Sequence, residues 1–312
     1  MLEPTYRQAL TQAWHLVWRN KILWVFGLLS VLIGPFGINN FVGQLAAFIS
    51  RPPVFLNYPR LFLVLLQGKG APWMAWMLVL ALMLVVLVVF VAVASQGALI
   101  AAAADGFKKK TVPNFEKAWH KGAKHFWRLL FLNLLRKAAL GIILFAVALL
   151  LVRLPETKPG FAAAIGVLSL GMLLALAIVA VGIYSAGYIV EDQKGLWVSV
   201  RKGCSLFSHH LLVSAELSIL LVVFDILVMA GAVIISTLAL VPLFILTIVA
   251  GFSGVTGLIA VGAVISSLVF VILIALVGAV YNAFITSAWI YLFMKMHREG
   301  VMSRILHWLT RR

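Results

Sequence analysis

The sequence predicts an all-α, polytopic membrane protein, and three observations carry that reading. Hydrophobic residues fill 64% of the 312 positions and charged residues only 11%, against roughly 45–50% and about 25% in an ordinary soluble domain; the mean hydropathy is +1.11. Several apolar stretches exceed the ~20 residues that a helix needs to cross a hydrocarbon core of about 30 Å. A basic stretch carrying aromatics and running straight into a long apolar segment occurs three times, beginning near Tyr6, Phe115 and Leu196.

The first stretch, moved 109 positions along the chain, brings Tyr6 onto Phe115, Ala9 onto Ala118, Ala13 onto Gly122 and Trp18-Arg19 onto Trp127-Arg128. The second, moved 81 positions, brings Lys121-Gly122 onto Lys202-Gly203, Phe126 onto Phe207 and Leu130 onto Leu211. We therefore read one membrane domain, 1–312, made of repeats 1–104, 105–190 and 191–312. Each repeat holds a surface helix followed by a helical hairpin. The three hairpins share one orientation, so these are parallel repeats, unlike the inverted halves of many transporters.

Six spans are expected, at about 22–50, 73–104, 129–152, 161–190, 211–236 and 258–294. The first contains Gly34-Pro35-Phe36-Gly37 and is expected to break there, because proline lacks an N–H and clashes with the preceding turn. The returning helices close on small residues: Ser95-Gln96-Gly97, Ser185-Ala186-Gly187 and Ser287. Such residues let neighbouring helices approach closely. The third hairpin departs from the others, with no charge between Asp225 and Lys295 and apolar runs too long for one perpendicular helix each. Pro242 and the series Gly251, Gly254, Gly257 suggest that 237–257 forms a short outer helix or re-entrant cap. Eight spans is the rival count, and 258–294 offers it no turn.

Orientation follows from Lys and Arg, which are retained on the cytoplasmic side of short loops. Eighteen of them fall in segments that lie inside if the N-terminus is inside, notably 105–128, 191–210 and 295–312, and five in outer loops: Arg51, Arg60, Lys69, Arg153 and Lys158. Both termini are thus expected in the cytoplasm. A cleaved leader is disfavoured, because the polar region before the first apolar run is long and Gly34-Pro35 follows that run without a small-x-small site. The single cysteine, Cys204, rules out an internal disulfide and a cysteine metal cluster.

The three basic stretches read as helices in the membrane surface. From Asn114, an expected N-cap, apolar or small residues recur at Phe115, Ala118, Trp119, Gly122 and Phe126. Glu116, Lys117, Lys121, Lys124 and Arg128 take the other face. That pattern suits an interfacial helix with snorkelling cations. The net charge of +16 accordingly implies membrane lipids as partners, with anionic headgroups drawn to the cytoplasmic face. No nucleic-acid module accompanies the charge, so nucleic acid is not an expected partner.

Polar groups inside the spans are the candidate functional residues, since burying them there is costly. At a rise of 1.5 Å per residue, Arg136 and Lys137 lie about 12 Å along their helix from Arg128, and Glu216 about 9 Å from His210, depths that permit a salt bridge. Gln96 and Asn133 lie at a similar level. Asp225 is about 22 Å from His210 and Asn282 about 20 Å from Lys295, so these two could hydrogen-bond near the midplane. Glu216 and Asp225 are nine residues apart, on roughly opposite faces of one helix, and form no catalytic pair. Interhelical pairing explains all seven residues more simply than transport or proton relay. The histidines show no His-Glu-x-x-His or other ligand spacing, and neither a phosphate loop nor a Gly-x-Ser-x-Gly elbow occurs. No metal or cofactor is expected.

Ala13-Trp14, Trp18-Arg19-Asn20-Lys21-Ile22-Leu23-Trp24, Phe26-Gly27-Leu28-Leu29, Gly97-Ala98-Leu99-Ile100 and the run Phe115 through Trp127 resemble a broad group of prokaryotic six-helix membrane proteins. These are described as similar to the membrane domain of glycerophosphoryl diester phosphodiesterase, or as domains of unknown function. The resemblance covers nearly the whole chain through diffuse motifs. It implies a prokaryotic inner-membrane location and no hydrolase, because phosphodiester chemistry in that group belongs to a separate soluble domain. The expected function is a non-enzymatic scaffold or accessory subunit. The alternative is a transporter or permease-like component for a lipid or small amphiphile, which would need a hydrated cavity reaching Asp225.

Overall fold

The computed structural model describes residues 5–31, 71–109, 111–153, 158–252 and 256–299. Among them every regular element is an α-helix: α1 (Thr5–Arg19), α2 (Ile22–Val31), α3 (Ala71–Lys109), α4 (Phe115–Lys124), α5 (Phe126–Arg153), α6 (Lys158–Val190), α7 (Leu196–His209), α8 (Leu211–Phe252) and α9 (Thr256–Glu299). Five of these, α3, α5, α6, α8 and α9, are long and apolar enough to cross a membrane. The apolar α2 corresponds to the start of the first expected span. The Gly34-Pro35 break and the rest of 22–50 lie outside the described residues.

Short amphiphilic helices and long apolar ones alternate because their burial needs differ. Each short helix hides one narrow stripe: Ala9, Ala13 and Val17 on α1, Ala118 and Gly122 on α4, Ser199 and Gly203 on α7. Spacing of four residues keeps each stripe on one face. The stripes dock on long helices, α1 along α9, α4 along α3 and α7 along α6. Close backbone approach explains the small residues. A Cβ on Gly122 would stand 2.2 Å from the Ala94 carbonyl oxygen and 2.5 Å from the Ala98 nitrogen, and one on Gly203 would stand 2.5 Å from Ser185 Oγ. Asn114 occupies the N-cap position of α4, although its side chain makes no capping bond; its carbonyl accepts from the Ala118 N–H at 3.1 Å.

The long helices share a core at one end of the bundle. Tyr184 and Tyr188 of α6 meet Trp289 and Phe293 of α9, with ring centroids 4.9–6.4 Å apart. Gly187 makes room for this: a Cβ there would meet the Phe293 ring at 3.0 Å. The Tyr184 hydroxyl lies 2.8 Å from Ser214 Oγ, fastening α8 to the same cluster. Away from this end the helices expose long rows of Leu, Val and Ile, as expected of faces whose solvent is lipid.

The cap expected at 237–257 is corrected. α8 continues unbroken from Leu211 to Phe252 with Pro242 inside it. A proline removes one N–H and disturbs one preceding carbonyl, a local loss that an otherwise uninterrupted apolar helix absorbs as a kink at most. The described helix runs through to Phe252. At 42 and 44 residues, α8 and α9 extend about 63 and 66 Å, roughly twice the hydrocarbon thickness.

Candidate functional site: polar groups within and beneath the bundle

The intramembrane polar residues divide into three places. Asn133 on α5 and Gln96 on α3 are both buried, and Asn133 Nδ2 donates to Gln96 Oε1 at 2.6 Å. Their levels along the two helices match, so each amide satisfies the other across the interface.

Asn282 does not meet Asp225. Its Nδ2 donates to the Gly27 carbonyl at 3.0 Å and to Ser30 Oγ at 2.8 Å, both on α2, while Ser30 Oγ donates to the same carbonyl at 3.1 Å. Here α2 and α9 touch through backbone: a Cβ on Gly27 would lie 2.2 Å from the Ala279 carbonyl oxygen. Asp225 lies beside Tyr281 instead, whose hydroxyl donates to the Leu221 carbonyl at 3.3 Å. Neighbouring residues of a helix point about 100° apart, so α9 sends Tyr281 to α8 and Asn282 to α2.

Arg136 and Lys137 are separated by the same geometry. Arg136 is buried with its stem along α6, where a Cβ on Gly182 would come within 2.9 Å of Arg136 Cδ. Lys137 is exposed. Glu216 is half-buried, its Oε1 makes no hydrogen bond, and it forms no ion pair among the described residues. No ion pair joins Glu216 to Arg136 or Lys137 among the described residues.

A second constellation, missed in the sequence, lies at the turn between α6 and α7. Asp192 meets Lys194 Nζ at 2.9 Å and His297 Nε2 at 3.8 Å. Glu191 pairs with Lys108 of α3, and Arg128 Nη1 of α5 donates to the Gln193 and Lys194 carbonyls at 3.1 and 3.4 Å. His297 stacks on Phe293 at 5.8 Å, and the Tyr188 hydroxyl lies 3.4 Å from His297 Nδ1. Gln193 holds a φ of 53°, a left-handed conformation costly for a side chain with a Cβ, under these clamps. At the end of α3, Asp105 pairs with Lys121 of α4 and lies 3.7 Å from Lys109. Acids are scarce, 9 against 25 Lys and Arg, so their placement at two helix ends was the available signal.

The chain matches no family model, no curated protein and no solved structure. Its chemistry therefore rests on these residues alone. Among those described, no group of three or more His, Cys, Asp or Glu is placed to hold a metal ion. The Tyr188–His297–Asp192 contacts include a His–carboxylate pair, yet the acid is also held by Lys194 and the imidazole is packed against Phe293. That arrangement ties the end of α6 and the turn before α7 to α9.

One more group at this surface carries a shifted ionisation. His125, the C-cap of α4, is buried, and burial together with Arg128 and Lys124 pushes its pKa below the ordinary histidine value. The neutral imidazole is favoured in the fold.

Proposed function

We propose that the chain is a membrane-embedded scaffold or accessory subunit without catalytic activity, spanning a prokaryotic inner membrane six times with both termini in the cytoplasm. The observation that carries the reading is Asn282. A deep polar side chain that could line a path is instead engaged by two acceptors on α2, and Gln96 with Asn133 makes a similar interhelical tie. Polar groups used in this way hold helices in register.

Three parallel hairpin repeats with surface helices complete the proposal. The register of the basic stretches supports it, since Ala9 and Ala13, Ala118 and Gly122, and Ser199 and Gly203 are buried at equivalent positions. Their docking partners, α9, α3 and α6, are the returning helices, so α1 on α9 closes the series. Exposed cations on the surface helices, such as Lys117 and Arg201, are suited to anionic headgroups. The resemblance to the phosphodiesterase membrane-domain group is consistent with a non-catalytic role.

The alternative carrier reading has one observation on its side, the half-buried Asp225. Asp225→Cys in a Cys204→Ser background separates the two, because thiols react with a small charged methanethiosulfonate only where water reaches them. The scaffold predicts no modification of the reconstituted protein at position 225. Modification there, from either side, would support the carrier and sink the scaffold.

A further inference from the structure

A cleft of about 230 Å³ opens between α3 and α5, lined by Val88, Val89, Ala92 and Val93 on one wall and Leu130, Asn133, Leu134 and Lys137 on the other. The second set has the spacing i, i+3, i+4, i+7, a single helical face. Its polar members are one turn apart. Asn133 lies about 8 Å along α5 from Arg128 and Lys137 about 14 Å, so both are inside the span Phe126–Arg153. Lys137 is exposed there and forms no ion pair among the described residues.

An ammonium at that depth needs either water or an anion. Helical side chains lean toward their own N-terminus, which carries the Lys137 amine back toward Asn133 and the Arg128 end. Asn133 keeps one N–H beyond its bond to Gln96. Two donors thus converge at one end of the cleft. Val88, Val89 and Leu134, all exposed, continue as an apolar track toward the bilayer centre. Polar end outward and apolar track inward is the polarity of a phospholipid in the leaflet on the Arg128 side.

We propose that this cleft binds one anionic phospholipid, its phosphate at Lys137 and Asn133 and part of an acyl chain along Val88, Val89 and Leu134. Charge complementarity selects the occupant, since a zwitterionic lipid brings its own ammonium to the same place. The cleft falls below the roughly 300–1,000 Å³ of sites that enclose a whole small ligand, so it grips one portion of the lipid and leaves the remainder in the bilayer. The site stands apart from the surface attraction of the basic helices and holds for a scaffold or a carrier alike.

Native mass spectrometry of the detergent-purified protein tests it, with phosphatidylglycerol and phosphatidylcholine offered separately at equal concentration. The expected result is one retained phosphatidylglycerol on the wild type and on Lys137→Arg. Binding should be weakened about tenfold or more in Lys137→Gln, the scale of a lost charge-assisted hydrogen bond. Arg153→Gln, at an exposed position at the far end of α5, should bind like the wild type. Val89→Trp, at an exposed position that tolerates bulk, should fill the cleft and expel the lipid without lowering the melting temperature. Equal retention of the two lipids by the wild type, or undiminished phosphatidylglycerol on Lys137→Gln or on folded Val89→Trp, would overturn the proposal.

Discussion

A single missing methyl group decides whether a surface helix can dock. At Gly122 an added Cβ would collide with the Ala94 carbonyl and the Ala98 amide, and backbone cannot step aside as a flexible side chain can. Gly122→Ala should therefore destabilise the protein by about 1–3 kcal/mol, the range for overpacking. Gly141, on α5, has nothing within 4 Å of its Cβ position, so Gly141→Ala should leave stability unchanged or raise it by up to ~1 kcal/mol through helix propensity. Thermal unfolding of both variants in one detergent compares them directly. His125 supplies a pH dependence of known sign. Burial, Arg128 and Lys124 lower its pKa in the fold, so its contribution is present above the ordinary histidine value of about 6.5 and is lost as the pH falls toward the folded pKa. The melting temperature should fall between pH 7.5 and 5.5, roughly the histidine range, and the fall should be shallower in His125→Gln. At this scale the sequence was legible where depth alone decides contact, as for Gln96 and Asn133. It was not legible for Asp225 and Asn282, because depth fixes level and leaves azimuth open: the choice between Tyr281 and Asn282 turns on about 100° of rotation about α9.

Elements were read best where two signals coincide. The starts of α1, α4 and α7 fall where basic, aromatic-bearing stretches begin, because a polar stretch and an apolar one cannot share a burial pattern. The end of α8 was misread because Pro242 was treated as a terminator. In an apolar helix its cost is confined to one turn. Pro242→Ala checks this account. If 242 is helix interior, alanine restores an N–H and removes the clash, so stability should be kept or raised by up to ~3 kcal/mol. A loss of melting temperature in the variant would argue that the proline shapes a turn. The polar turn between α6 and α7 illustrates the opposite limit. Asp192 and Lys194 are two residues apart in the chain, but Lys108, Arg128 and His297 reach that turn from three other helices. No local pattern announces such a convergence.

Across the described residues, the long helices turn apolar faces outward and several of their polar groups tie one helix to another. Asn282 binds α2, Asn133 binds Gln96, and Tyr281 lies beside Asp225. The all-helical, multi-pass character was legible from composition, since lipid leaves only helices and closed barrels able to satisfy the backbone. Function was less legible, because no stretch of the sequence carries a motif that names a substrate or a reaction. The central claim is that Asp225 serves the packing of α8 with α9 and carries no proton or substrate. Asp225→Asn tests it most directly, as an amide keeps the size and hydrogen-bonding capacity of the carboxyl group but cannot exchange a proton. A strain in which this variant replaces the wild type should show normal insertion, an unchanged melting temperature for the purified protein and an unaltered phenotype relative to the deletion. A folded, fully inserted Asp225→Asn protein that behaves like the deletion would contradict the account.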